Sequence, residues 1–230
     1  MNWTPWKSLL VNVQGEIGRN SNPFTPVAER DYHAIDGRLR YTRKKFRWSA
    51  AYKENYNNNS IAVTSFSSKS RNYSTNATFT GTSWMSIDAG YSKLHLATVG
   101  GIAFFAGAGR PALNQGVSVY VSNIHAANLG VRLNWRAAEL YLGESITKDA
   151  GDGRATNALG GTAIANLLYS VQTFPLTYHS PNARLSIRLA EKLRFNAGYQ
   201  YYGYHEDFGL LGVEQNYRAN TGYAGMQFSF

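Results

Sequence analysis

Hydrophobic residues recur at every second position in ten separate segments of the chain, with polar residues between them. A period of two is that of a β-strand, whose successive side chains point to opposite faces. No segment keeps a repeat of 3.6 residues, so the pattern predicts little helix. The apolar sets of the ten predicted strands are Leu9–Ile17, His33–Tyr41, Phe46–Tyr56, Tyr73–Phe79, Met85–Tyr91, Ala127–Trp135, Leu140–Ile146, Ala183–Leu189, Leu193–Tyr201 and Met226–Phe230.

The connections between these predicted strands alternate between short and long. The short ones are the tight turns Thr42–Lys45, Thr80–Ser83, Asn134–Ala137 and Ala190–Lys192. The long ones are Arg19–Arg30, Asn57–Arg71, Ala97–Gly116, Lys148–Thr173 and His205–Asn216. Barrels of bacterial outer membranes have short periplasmic turns and longer extracellular loops. The sequence therefore predicts an all-β, antiparallel transmembrane barrel with about ten strands in this chain. A water-soluble β-sandwich also alternates, but it has no reason to sort its connections by length.

Charged residues occupy mainly the parity opposite to the apolar sets. A Lys or Arg that faces lipid at the midplane costs about 2–4 kcal/mol, so the polar parity is expected to line the interior. One exception is Glu144, which falls on the apolar parity and marks either the extracellular rim or a bulge. Three acids, Asp36, Asp88 and Glu139, share the polar parity. The predicted lumen-lining basic residues are Arg38, Arg40, Arg47, Lys53, Arg132, Arg184, Arg188 and Arg194.

This excess of positive charge bears on both function and size. In a water-filled interior, a basic wall favours anions and repels cations. In a closed ten-stranded barrel, side chains nearly fill the interior, and unpaired cations are costly to bury. The charge thus favours a wide, wet lumen. We expect one barrel domain over residues 1–230, with residues 1–8 as an N-terminal segment, and the chain to be the C-terminal part of a larger barrel.

Composition removes several other classes of function. The 230 residues include no cysteine, which excludes disulfides and thiolate metal sites, and the five histidines are widely dispersed, so no metal or other cofactor is expected. The net charge of +9 is spread along the strands instead of forming one patch, so nucleic acid is not an expected partner. The apolar run Ala97–Gly109 is too short for a transmembrane helix. The residues after Met1 lack the charged and apolar regions of a signal peptide, as expected for a trimmed product or part of a longer chain.

Two loop motifs could form a catalytic site or a metal site, and for each a purely structural role is the favoured interpretation. His205 and Asp207 could act as an Asp/His pair of a rim hydrolase, although a solvated loop is the favoured interpretation and no catalytic residue is expected. The segment Asp149–Gly153 could bind Ca²⁺, but it lacks the further acids and the bidentate Glu of a calcium loop. We therefore expect an Asp/Gly turn there. His179 and Ser180 are adjacent and point to opposite faces, which excludes a phospholipase-like pair.

The last residues resemble the C-terminal assembly signal of bacterial outer-membrane β-barrels. In that pattern an aromatic residue is followed by Gly, and apolar residues stand third-last and last, here Tyr223, Gly225, Phe228 and Phe230. The segments Arg47–Tyr52, Trp84–Leu96 and Phe195–Tyr204 are similar to the closing portion of large, porin-like outer-membrane barrels of acidobacterial type. This resemblance covers Asp31–Phe230.

The resemblance implies a location in the bacterial outer membrane. The surroundings and partners would be membrane lipid and lipopolysaccharide, the barrel-assembly machinery and a periplasmic partner protein. The leading functional hypothesis is a pore or transport channel whose basic interior favours anions. Alternatives are a scaffold barrel that holds a periplasmic partner such as a multihaem cytochrome, and the rim hydrolase. The chain has no Cys-x-x-Cys-His, so any haem would belong to the partner.

Overall fold

The computed structural model describes residues 1–21, 30–59, 66–105, 112–151, 171–172, 175–207 and 216–229. Its regular structure consists of β-strands that form one 13-stranded sheet. The strands are β1 (Asn2–Trp6), β2 (Leu9–Arg19), β3 (Asp31–Arg43), β4 (Phe46–Asn59), β5 (Phe66–Thr82), β6 (Met85–Phe105), β7 (Ala112–Asn134), β8 (Ala138–Asp149), β9 (Val171–Gln172), β10 (Leu176–His179), β11 (Asn182–Ala190), β12 (Leu193–Glu206) and β13 (Tyr217–Phe228). Within these ranges no helix is long and apolar enough to cross a membrane.

Strands β1 to β8 lie side by side in chain order, each antiparallel to the next. β10 and β11 each pair with both β8 and β12, so they are two halves of one strand, interrupted at Ser180 and Pro181. β12 then pairs with β13, while the two-residue β9 runs parallel to part of β7. Without the short β1 and β9, and with β10 and β11 taken together, ten strand positions remain, as the alternation predicts.

The four predicted tight turns are confirmed. Consecutive strands are joined there by two or three residues, as between Arg43 and Phe46 and between Ala190 and Leu193. Lys44 takes a positive φ of 46° in the first of these turns. Two-residue hairpin turns require such left-handed positions because their twist must match that of the strands.

Several predicted boundaries are wrong. Much of the predicted loop Ala97–Gly116 is strand, because β6 continues to Phe105 and β7 begins at Ala112. β5 likewise begins at Phe66, inside the predicted loop Asn57–Arg71. The predicted N-terminal segment contains β1, whose outer-edge position tolerates Pro5. Most of Lys148–Thr173 and Phe230 itself lie outside the described residues.

The sheet has one layer and no conventional core. Among the residues whose burial is described, Val121 is the one buried hydrophobic side chain, with 8% of its surface exposed. The apolar face instead displays large side chains such as Leu129 and Tyr199, whose exposed fractions are 52% and 51%. A sandwich would bury such a face against a second sheet. A membrane barrel turns it toward lipid, so the structure supports the barrel and not the sandwich.

Candidate functional site

The polar face carries a first basic cluster on β3 and β4, formed by Arg38, Arg40, Arg47 and Lys53. Arg38 donates from Nε and from one terminal nitrogen to the two carboxylate oxygens of Asp36, at 3.0 and 2.8 Å. Asp36 is also the register partner of Lys53. In the described part of the chain, Arg40 and Arg47 form no ion pair, and Asp36 is the one acid that pairs with a member of this cluster.

A second basic cluster consists of Arg132, Arg184, Arg188 and Arg194 on β7, β11 and β12. Arg132 forms an ion pair with Glu139 at 3.3 Å. Arg188 and Arg194 are direct register partners, and like charges opposite each other destabilise a sheet. Three of the arginines, Arg132, Arg184 and Arg194, line a recess of 530 Å³ on this face. Its other polar lining residues include Asp88, Glu139, Tyr141, Asn182, Asn196 and Tyr223.

Both clusters contain arginine side chains that are largely exposed. The side chains of Arg38 and Arg132 remain 69% and 53% exposed although each has an acidic partner. Exposed ion pairs contribute little free energy, so these acids do not remove the positive character of the face. All eight predicted basic residues thus lie on the polar face, in two groups on separate strands. The chemistry open to them is electrostatic attraction of anions.

Tyrosines on the same face lie over glycines of neighbouring strands. A Cβ added at Gly198 would come within 2.3 Å of the Tyr223 ring. A Cβ on Gly130 or Gly143 would likewise meet Tyr141, at 2.9 Å in each case. Within the C-terminal signal, Tyr223 and Gly225 therefore face the polar side and Phe228 the apolar side.

The predicted Asp/His pair exists as a contact. His205 Nε2 lies 3.0 Å from Asp207 Oδ1, and His205 Nδ1 lies 2.8 Å from Asn216 Oδ1. The same Asn216 oxygen accepts the Glu206 backbone N–H at 3.0 Å, which fixes it as an acceptor. Both imidazole nitrogens therefore lie beside side-chain oxygens of the chain itself, and neither faces open space.

The Asp149 carboxylate is used by the fold. It accepts hydrogen bonds from the backbone N–H of Asn123 and of Gly151, at 2.9 and 2.8 Å, and from the Ser122 hydroxyl. Gly151 has a φ of 59°, a left-handed turn conformation. The expected Asp/Gly turn is thus confirmed at Asp149, while Asp152 lies outside the described residues. No group of three or more potential metal ligands occurs within the described ranges.

Glu144 lies on the apolar face without a bulge. The register between β7 and β8 is continuous from Asp149 to Glu139, so its parity is that of its neighbours. Its carboxylate lies 3.9 Å from His179 Nδ1 of β10. Of the two readings of Glu144, the bulge is therefore wrong.

From the sequence the histidines are considered as metal ligands, and His179 and His205 also as catalytic candidates, but their common placement is missed. All five of them, His33, His95, His125, His179 and His205, lie on the apolar parity, in register with residues of the long-loop ends of the strands. Lys93 and Lys148 share this face. The parity of these residues was readable from the sequence.

Comparison with solved structures identifies the architecture. The ferric preacinetobactin receptor BauA of Acinetobacter baumannii aligns with 98% of this chain and 41% of its own, at a TM-score of 0.63 and 9% identity. The closed form of the ferric-catecholate import receptor Fiu of E. coli K12 aligns over 98% and 44%, at a TM-score of 0.51 and 9% identity. The chain has the fold of outer-membrane β-barrels.

This fold is consistent with the predicted outer-membrane location. The chain spans less than half the length of these two receptors. The β domain of the Bordetella autotransporter BrkA aligns over 96% of this chain and 94% of its own, at a TM-score of 0.39 and 14% identity. No protein-family model and no curated protein matches the sequence.

Proposed function

We propose that this chain forms part of the wall of an outer-membrane pore that favours anions. The observation that carries the proposal is that eight basic residues share the polar face in two clusters, and that their described ion pairs involve only Asp36 and Glu139. Arg40, Arg47 and Arg194 have no acidic partner within the described ranges, and they are spaced along different strands. A permeating anion would therefore meet positive charge in more than one place along the wall.

The physical basis is the electrostatic potential of a wet basic wall. Rings of Arg and Lys lower the energy of anions in a pore and raise that of cations. Arg188 opposite Arg194 adds a local repulsion that a passing anion would relieve. Binding must stay weak for conduction, and the exposure of the clusters to water keeps it weak.

The narrower parts of the sequence-based interpretation are proposed with this function. They are the porin-like, acidobacterial relationship, the assembly signal and the periplasmic partner. We further propose that the chain is not an enzyme, a proposal supported by the engagement of both His205 nitrogens with acceptors.

The test is conductance of the full chain in planar bilayers, with the reversal potential measured in a salt gradient. We expect a reversal potential on the anion-selective side. Replacing Arg184→Gln and Arg194→Gln together should move it toward zero, and Arg40→Gln with Arg47→Gln should move it further. A cation-selective wild-type pore, or the absence of conductance in protein that has folded and inserted, would refute the proposal.

A matched control is Lys44→Gln with Lys192→Gln. These residues lie in short turns outside the strands, and the double variant loses the same charge as each arginine pair. Its reversal potential should equal that of the unmodified chain. If it shifts as far as that of the arginine variants, the selectivity does not come from the two clusters.

A further inference from the structure

The apolar face carries basic side chains where lipid-facing residues are expected. Lys93, His125 and Lys148 are successive register partners on β6, β7 and β8, and we name these three residues the basic row. Two lysines would be costly at the middle of the membrane but cost about 0–1 kcal/mol near an interface. Because the row lies on the long-loop side of Tyr91 and Ala127, we infer that it is near the membrane surface on that side.

Among the described residues, no acid forms an ion pair with the lysines of the basic row. Three other cations on this face do have acidic partners: Lys69 and Arg71 share Glu54, at 3.4 and 3.6 Å, and Arg19 pairs with Asp31 at 3.4 Å. Strands lie about 4.8 Å apart, so the two lysine backbones are about 10 Å apart, with His125 between them.

The ring of His125 is positioned by a contact with Tyr91. The Tyr91 hydroxyl lies 2.7 Å from His125 Nδ1, and in the tautomer where that hydroxyl donates to Nδ1, Nε2–H is the ring donor left for an outside group. An anionic group above the row can then receive two ammonium groups and one imidazole N–H. Lysine binds phosphate well as a point charge, and three donors from three strands form a small, fixed set.

An apolar groove lies on the same face of the sheet, between the basic row and the short turns. Leu129, Val131, Leu142, Ala183 and Tyr199 line most of its 390 Å³. Ala183, which lies in register between Leu142 and Tyr199, presents only a methyl group to this groove. Along β8, Leu142 is six residues from Lys148, or about 20 Å at about 3.4 Å per residue, a length suited to an acyl chain. Glu144, which also borders the groove, has His179 as its partner.

We propose that the basic row and the groove together bind one phosphorylated lipid of the outer leaflet. The phosphate lies between Lys93, His125 and Lys148, and an acyl chain lies along the groove toward Leu142. Charge complementarity selects an anionic headgroup, and the groove selects a lipid over free phosphate. This site depends on the barrel fold and is independent of pore selectivity, because it lies on the opposite face of the sheet.

The experiment is a native mass-spectrometry titration of the full chain in a neutral detergent. The probes are phosphatidylglycerol, lipid A, phosphatidylcholine and inorganic phosphate. The wild-type chain should bind the first molecule of either anionic lipid more tightly than phosphatidylcholine. Lys93→Gln with Lys148→Gln should weaken that binding about 30-fold, because each basic residue near an anionic membrane surface contributes to attraction.

Three variants make the result specific. Lys93→Arg with Lys148→Arg should keep the affinity, since it keeps the charge. Lys44→Gln with Lys192→Gln removes equal charge at the short turns and should change nothing. Ala183→Phe fills the groove, and should weaken binding of long-chain but not short-chain phosphatidylglycerol. Heat-modifiable electrophoretic mobility reports whether each variant is folded.

Several outcomes would overturn the site. Equal affinity for phosphatidylcholine would remove the role of charge, and equal affinity of inorganic phosphate would remove the role of the lipid. An unchanged affinity in the folded Lys93→Gln, Lys148→Gln variant would exclude the basic row. That variant should also keep the wild-type reversal potential, so failure of the lipid site and failure of the pore proposal are distinguishable.

Discussion

Gly198 and Gly225 lie on the polar face of neighbouring strands but have different surroundings. A Cβ on Gly198 would come within 2.3 Å of the Tyr223 ring, whereas a Cβ on Gly225 would meet nothing within 4 Å. The ring of Tyr223 occupies the space that glycine leaves open, so it packs on the backbone of β12. This is the sheet device in which an aromatic side chain compensates a glycine.

We predict that Gly198→Ala destabilises the folded barrel and Gly225→Ala does not. The added methyl group would displace the Tyr223 ring, and overpacking of this kind costs about 1–3 kcal/mol. The measurement is the urea midpoint for unfolding of each variant in detergent micelles. Equal midpoints for the two variants would show that the Tyr223 ring contributes nothing by lying over Gly198.

At the scale of the element, each strand separates two environments by parity alone. Leu185 and Ser186 are neighbours on β11, and both continue in register onto β8 and β12. Leu185 lies in a row with Leu140 and Ala197, on the apolar face, and Ser186 with Glu139 and Asn196, on the polar face. One position along the chain thus decides between lipid and water.

We predict that Leu185→Lys destabilises the barrel by about 2–4 kcal/mol, the cost of a lysine that faces lipid near the midplane. Ser186→Lys introduces the same side chain one residue later and should leave stability nearly unchanged. Unfolding titrations in lipid vesicles would measure both. A large loss for Ser186→Lys with none for Leu185→Lys would reverse the assignment of the two faces.

Strands can be predicted from the sequence where apolar and polar side chains alternate. They are missed where a segment is a strand only because it pairs with a neighbouring strand. The run from Met85 to Tyr91 alternates, and it was predicted as strand. Gly100 and Gly101 break the alternation, yet β6 passes through them because β7 pairs along the whole length, with Gly100 opposite Ser118. β1 was missed for a similar reason, since it is defined by its pairing with β2 and contains Pro5.

The same distinction applies to the candidate sites: the face on which a residue lies can be predicted from the sequence, but its neighbours on other strands cannot. Parity predicts that the eight basic residues share one face, and the strand register agrees, because alternation fixes the direction of each side chain. It does not reveal that Arg188 lies opposite Arg194, or that Lys93, His125 and Lys148 form one row, since both depend on register between strands distant in sequence. Register is set by the complete set of turns and pairings.

At the scale of the whole molecule, the sheet has two edges within the described ranges. At one edge lies β13, which pairs with β12. At the other edge, β1 pairs only with the first part of β2, from Leu9 to Val13, and leaves the rest of β2 without a described partner on that side. Backbone groups cannot remain unpaired in lipid, so both edges need partners. The two edges could meet each other, or further strands could stand between them.

We predict that further strands stand between them. Eight basic residues on the polar face would be costly to enclose in a narrow, filled interior. The chain contains no cysteine, so introduced pairs can be read without background. Ile17→Cys, combined in turn with Arg218→Cys, Asn220→Cys or Gly222→Cys, should form no disulfide within one chain under oxidising conditions. Ile17→Cys with His33→Cys, which are register partners on β2 and β3, is the positive control. A disulfide between β2 and β13 as efficient as this control would mean that the ten strand positions close on themselves, with a lumen too narrow for the proposed wet pore.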